Sequence, residues 1–285
     1  MRSEKDFLGE KKIPAKALYG IHSVRAKENF PDISLFNKEW YKSMMTVKRA
    51  CYSTAKEFFT KANEQYDLSS SSIKQYDATI LDALLNSAIQ CEEGENYDHF
   101  VVPALSGGAG TSINMNVNEI LTNLSLQKLN KKPGSYAVID PIEHANIFQS
   151  TNDVVPTALR IATMRLLSQL EDSINSLRAK FEEKEMQYRN TLRIGYTQMQ
   201  EAVPTTFGKL FSGYCDALSR DWWRISKCNE RIKVVNLGGS AIGTSVTVPW
   251  FFVTEVVRVL QQITGLPLTR GENLSDATSN LDPFV

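Results

Sequence analysis

Leu166, Leu170, Ile174, Leu177 and Phe181 step along the chain by four, four, three and four residues, and Phe207, Phe211, Tyr214, Leu218, Trp222 and Ile225 follow the same alternation. That spacing keeps the apolar side chains on one narrow stripe of an α-helix, the pattern of helices packed nearly parallel to their neighbours. It predicts two helices of roughly thirty residues or more, beyond the usual globular length, and helices of that kind belong in bundles. The chain is therefore expected to be mainly α-helical.

The rest of the sequence is organised around these helices. Up to about Tyr41, with prolines at 14 and 31, it reads as irregular. Amphipathic spacing then predicts a helix over roughly Trp40 to Ala62. A second starts in the Ser-rich stretch near Ser70, with Ile73, Ile80, Leu84 and Ala88 on one face, and is closed by "EEGEN". A third runs from about Asn116 to Leu129 and stops at "NKKPGS". The expected division is an N-terminal helical domain, 1–140, followed by long-helix bundle segments, 141–285. Internal repeats and low-complexity tracts are not seen.

Charge and cysteine usage narrow the function classes. Lys plus Arg and Asp plus Glu both total 32, so net charge favours neither nucleic acid nor an anionic membrane surface, and any anion must be bound locally. Cys51, Cys91, Cys215 and Cys228 are far apart, form no CxxC pair and have three histidines for company, which argues against a disulfide framework or a zinc site. No metal or cofactor is expected. The start "MRSEKDFLGEKKIP" lacks an apolar signal core and no apolar run is long enough to span a bilayer, so a reduced, cytoplasmic protein is expected.

Three polar breaks carry the candidate chemistry. In "GGAGTSINMNVNE", Gly107 to Glu119, a Gly-rich turn lets backbone N–H groups approach a ligand, and the following helix start adds unpaired donors and partial positive charge. Thr111, Ser112 and Asn114 add side-chain donors suited to a carboxylate or phosphate; the alternative is a plain turn with an N-cap. "QSTNDVVP" repeats the theme: Thr151 or Asn152 can cap, Asp153 suits the first turn and Pro156 an early helical position, leaving Ser150 unexplained. "GYTQMQEAVP" offers Thr197 and Gln198 ahead of another long helix, or is simply a polar connector. Neutral, donor-rich segments at three helix starts suit a small dianion. His22 and His144 read as structural more readily than as acid–base groups, the Phe207 to Trp222 series as core, and "FEEKEMQ" as a solvated face.

These segments resemble the aspartase/fumarase superfamily and, within it, the aspartate ammonia-lyases. The resemblance runs along the whole chain in five ordered blocks: "ALYGIHSVRAKENF", "GGAGTSINMNVNEI", "QSTNDVVPTALRIA", "GYTQMQEAVPTTFG" and "VVNLGGSAIGTSV". It implies a central long-helix bundle shared among four subunits, with each active site assembled from three of them. Thr111, Ser150 and Thr151 would surround the β-carboxylate of aspartate, Asn152 and Gln198 would lie near its amino group, Thr197 near its α-carboxylate, and Asn114 would support the site. The implied reaction is a reversible, cofactor-free anti elimination giving fumarate and ammonia.

The chain departs from the family pattern at three places. Tyr196 stands where an Arg usually precedes the Thr-Gln or Thr-His pair. "DPIEH" lacks the His and Asn that fumarases use for a second dicarboxylate site, which favours aspartase, as does Gln198. The family's flexible Gly-Ser-Ser loop, with its catalytic Ser and substrate-binding Lys and Asn, belongs beyond position 285, as do the remaining bundle helices and the C-terminal part. No general base is identifiable in these residues. The expectation is an N-terminal portion of an aspartate ammonia-lyase, inactive alone, with a fumarate hydratase or a non-catalytic assembly module as the alternatives.

Overall fold

The computed structural model describes residues 1–66 and 75–285. In chain order its elements are strands β1 (Arg2–Asp6) and β2 (Gly9–Ile13), helices α1 (Ile21–Asn29), α2 (Lys38–Gln65), α3 (Ala78–Cys91), α4 (Thr111–Lys128) and α5 (Thr151–Gln187), strands β3 (Leu192–Thr197) and β4 (Gln200–Thr206), helix α6 (Phe207–Ile232), strand β5 (Val234–Val235), helix α7 (Trp250–Thr264), strand β6 (Thr269–Arg270) and helix α8 (Leu274–Ser279). The mainly α expectation holds. Two compact units form: the first from residues 1–162 and 233–282, the second from residues 163–232 and 283–285.

The first unit is built on α2, which packs against α3 and α7, while α4 packs against α3 and α1. Asn37 caps α2 by accepting from the Trp40 amide at 3.1 Å, and Asp77 caps α3 by accepting from the Thr79 amide at 2.8 Å. Tyr41, Met44, Met45 and Tyr52 of α2, Leu84 and Ala88 of α3, and Val117, Ile120 and Leu121 of α4 are all fully buried. The predicted face of the second helix holds for Leu84 and Ala88, with Ile80 half-buried at its start; the expected start near Ser70 and Ile73 lies outside the described residues. The N-terminal stretch read as irregular instead forms the antiparallel β1–β2 hairpin and α1. Charged strand residues conceal it: Lys5 is exposed, and even the buried position of β1, Glu4, is charged and paired with Arg2, so no apolar face alternates with a polar one. Likewise α7 was not anticipated, its Phe252, Val253, Val256, Val257 and Leu260 forming a buried face.

In the second unit α6 and the outer part of α5 pack through aromatic rings, with Phe181 lying 5.2 Å from Tyr214 and 6.2 Å from Phe211 between centroids. At 37 and 26 residues, α5 meets and α6 falls short of the expected length of thirty or more. Between them β3 and β4 form an antiparallel hairpin. Within this unit the apolar stripes are only half covered: Leu166, Leu170 and Leu177 are 43%, 46% and 48% exposed, and Tyr214 is 45% exposed. The aromatic series read as core is thus partly bare. Among the described residues no helix is long and apolar enough to cross a membrane.

Candidate active site

The Gly-rich stretch is a left-handed turn that runs directly into α4. Gly110 occupies the N-cap position with φ +87°, and a Cβ there would meet Val155 Cγ1 at 2.9 Å, so both backbone conformation and space require glycine. No side chain caps α4, which begins at Thr111 rather than near Asn116. The polar run Thr111 to Met115, ahead of the expected helix start, is already helical, and tertiary partners satisfy the asparagines of this part of α4. Asn116, for example, accepts from the amides of Val101 and Val102 at 2.8 and 3.2 Å. Thr111 is exposed, and its hydroxyl donates to the Gly108 carbonyl at 2.8 Å. With Ser112, His22, Arg25 and Asn29 it lines a cavity of about 520 Å³.

The start of α5 corrects the sequence reading of its cap. Ser150, the residue left unexplained, precedes the helix, and its Oγ accepts from the Asn152 amide at 3.2 Å. Asp153 completes a reciprocal capping box by accepting from the Ser150 amide at 2.9 Å. Thr151 is free of capping duty, and its Oγ1 accepts from Asn114 Nδ2 at 3.2 Å, which ties the α5 start to α4. The exposed Asn152 donates through Nδ2 to the Ala241 carbonyl at 2.7 Å, leaving its Oδ1 as an acceptor. Asn114, Ser150, Thr151 and Asn152 are thereby linked in one unit, and Thr111 lies three residues before Asn114 on α4.

Behind this group lies a buried polar cluster that sequence reasoning missed. Lys48 of α2 is fully buried and donates to Asn146 Oδ1 at 3.1 Å; the same oxygen accepts from Asn114 Nδ2 at 3.0 Å. Burial lowers the Lys48 ammonium to about 7, against the attraction of Asp153. Burial also raises the Asp153 carboxyl to about 6, opposed by hydrogen bonds from the Ser150 and Ser240 amides and by Lys48. A second carboxylate, Glu119, is fully buried and accepts from the amides of Gly20, His22 and Ser23 and from the Ser23 hydroxyl, so it supplies the cap that α1 lacks. Desolvation pushes its pKa upward. The only signal for Lys48 was a charge inside an otherwise apolar helical face.

Thr197 and Gln198 belong to the second unit, and the expectation that they precede a helix is overturned. Thr197 ends β3 and pairs with Gln200, while Gln198 and Met199, with φ +49° and +63°, make a two-residue hairpin tip. Two successive positive φ values match the strand twist of a hairpin, so Gln198 and Met199 turn β3 back into β4, and the helix starts only at Phe207. Both residues are exposed. His144 is held structurally, its Nδ1 accepting from the Asp140 amide at 3.0 Å. Among the described residues no group of three or more His, Cys, Asp and Glu side chains is gathered that could hold a metal, and all four cysteines are unpaired.

Hydroxyls and amides at two helix starts, backed by buried charge, are what a binder of a small carboxylate needs. A family described as "Lyase" matches residues 9–285. The aspartate ammonia-lyases of Bacillus subtilis and Escherichia coli K12 are each 36% identical to the chain over all of its length, and the chain spans about 57% of theirs. Among solved structures, a fumarate lyase:delta crystallin from Brucella melitensis superposes with a TM-score of 0.90 at 32% identity, over 99% of this chain and 59% of that one. A class II fumarase from Schistosoma mansoni, at 23% identity and a TM-score of 0.86 over 99% of this chain and 60% of its own, shares the fold.

Proposed function

The chain belongs to this lyase family, within the aspartase/fumarase superfamily, and from that premise we propose that it is the N-terminal portion of an aspartate ammonia-lyase. The observation that carries the reading is the hydrogen bond from Asn114 to Thr151, which joins the Gly-rich start of α4 to the start of α5 and makes one neutral, donor-rich surface. In the elimination, a base removes the proton on the carbon next to the β-carboxylate, and negative charge builds on that carboxylate as ammonia leaves. Donors fixed in advance act most strongly where charge develops. Thr111, its hydroxyl turned from the Gly108 carbonyl to the substrate, takes the β-carboxylate with Ser150 and Thr151, and Asn152 lies toward the amino group; in the composite site Gln198, toward the amino group, and Thr197, toward the α-carboxylate, come from another subunit. An acceptor such as Asn152 Oδ1 suits an ammonium, which has donors only.

Residues 1–285 supply stabilising groups and no assigned base. The base, on this reading, comes with the Gly-Ser-Ser loop of the family. The division into an N-terminal domain, 1–140, and bundle segments, 141–285, belongs to the same proposal, as do a homotetramer with composite sites and a cytoplasmic location. The half-bare stripes of α5 and α6 support the oligomer, since helices of this type need further helices beside them. The test is turnover by the full-length gene product. Aspartate should yield fumarate and ammonia, with malate dehydration negligible; malate turnover without aspartate turnover would assign a fumarate hydratase instead, and neither activity would favour an assembly module.

A further inference from the structure

The buried cluster behind the candidate site has a direction built into it, and Lys48 sets that direction. Lys48 Nζ, as ammonium or as amine, has hydrogens to donate, and it meets the carbonyl oxygen of Asn146 at 3.1 Å. The other end agrees, because Asn146 Nδ2 donates to the Gln149 carbonyl at 3.0 Å. With Asn146 Oδ1 so oriented, its neighbour Asn114 must present the amino group, which it does at 3.0 Å. The second hydrogen of that amino group goes to Thr151 Oγ1 at 3.2 Å. Asn114 Oδ1 is left buried without a hydrogen-bond partner, which marks an orientation imposed by its surroundings rather than by its own best pairing.

We infer that Lys48 is a positioning residue for the substrate carboxylate: through Asn146 and Asn114 it makes the Thr151 oxygen an acceptor inside the protein, which frees the one hydroxyl hydrogen of Thr151 to donate to the substrate. The inference rests on the lyase reading above and adds a residue that touches no substrate. A reversed relay, with the Asn114 carbonyl toward Thr151, would draw that hydrogen inward and present the carboxylate with oxygen lone pairs.

The test is a double-mutant cycle of Lys48→Met and Thr151→Val in the full-length protein, read as aspartate deamination. Lys48→Met should lower kcat/KM by about tenfold or more, mainly through kcat, because the donor matters most as charge develops. In the Thr151→Val background the same change should cost less than about twofold. An equal fold-loss in both backgrounds would show a merely structural role and overturn the relay. Lys56→Met, on the exposed side of α2, is the control and should leave activity unchanged. If Lys48→Met does not fold, Asn146→Leu replaces it in the cycle with the same expected coupling. Wild-type protein that releases no ammonia from aspartate would defeat the lyase reading alone, and the relay is then judged by the side-chain amide NMR signals of Asn114. They should shift in Lys48→Met and not in Lys56→Met; signals that stay in place would overturn it.

Discussion

Leu121 of α4 and Leu170 of α5 are both leucines on apolar helical stripes, yet the first is fully buried and the second 46% exposed. The difference lies in the number of neighbours each helix has within its own unit. In the first unit α2, α3, α4 and α7 cover one another, whereas α6 is the single long helix beside α5 in the second. Polar burial divides the same way: every buried polar or charged side chain among the described residues, from Glu4 to Asn236, lies in the first unit. Periodic apolar spacing therefore marks a face that needs a partner, without saying whether the partner is in the same unit. Fixed positions for donors come where polar groups are buried and paired, and the first unit alone offers that.

Core truncations should separate the units most strongly. Leu121→Ala is expected to destabilise by about 2–5 kcal/mol, while Leu170→Ala at low protein concentration should cost under about 1 kcal/mol. Urea unfolding measures both, and equal losses would erase the contrast. The next effect is a pH dependence confined to the first unit. Lys48, faced by Asp153 and Cys51, is lowered from 10.5 to about 7 by burial, so between these values the unfolded chain binds a proton that the folded chain does not. Stability should rise with pH across that window by at most about 1.4 kcal/mol per pH unit, and be lost as pH falls through 7. Asp153 acts oppositely: raised from 3.8 to about 6, it contributes stability below 3.8 that disappears as pH rises through 6. Denaturation followed against pH should lose its upper limb in Lys48→Met and its lower limb in Asp153→Asn.

The smallest contrast uses two glycines. Gly110→Ala combines a left-handed backbone with a 2.9 Å approach to Val155 and should cost about 1–3 kcal/mol. Gly213 on α6 has nothing within 4 Å of an added Cβ, so Gly213→Ala should stabilise by about 0.5–1 kcal/mol. Thermal melts of the two variants in opposite directions would support the assignment; a shared direction would break it.

What could be read in advance follows from the same contrast. The long helices announce themselves because their apolar stripes are regular, and the extent of α2 and the end of α3 follow from spacing and polar boundaries, whereas α3 begins only after its Asp77 cap. The start of α4 was missed by five residues because Asn114 and Asn116 are helical only through partners distant in sequence, such as Asn146 and Val101. Local propensity cannot see those partners. In sequence the hairpin at Thr197 reads as a helix lead-in, since polar turns look alike until both φ values are known. Of the site, the hydroxyl and amide residues were legible as exposed, donor-rich breaks. Lys48 and Glu119 are not, because a buried charge on a helix reads as solvated until its burial is seen, and neither is Asn146, a turn residue whose partners Lys48 and Asn114 are distant in sequence.

Whether the first unit presents a working carboxylate site at the Gly-rich turn is tested most directly by Thr111→Val in the full-length protein. Valine keeps the volume and removes one donor from a charged oxygen. The expected loss is about 1.5–3 kcal/mol of transition-state stabilisation, or about one to two powers of ten in kcat/KM for aspartate, beyond a modest fall in Tm from the lost bond to Gly108. A Thr111→Val enzyme with wild-type kcat/KM and only a lowered Tm would show that the threonine serves the turn alone, and would contradict the carboxylate site.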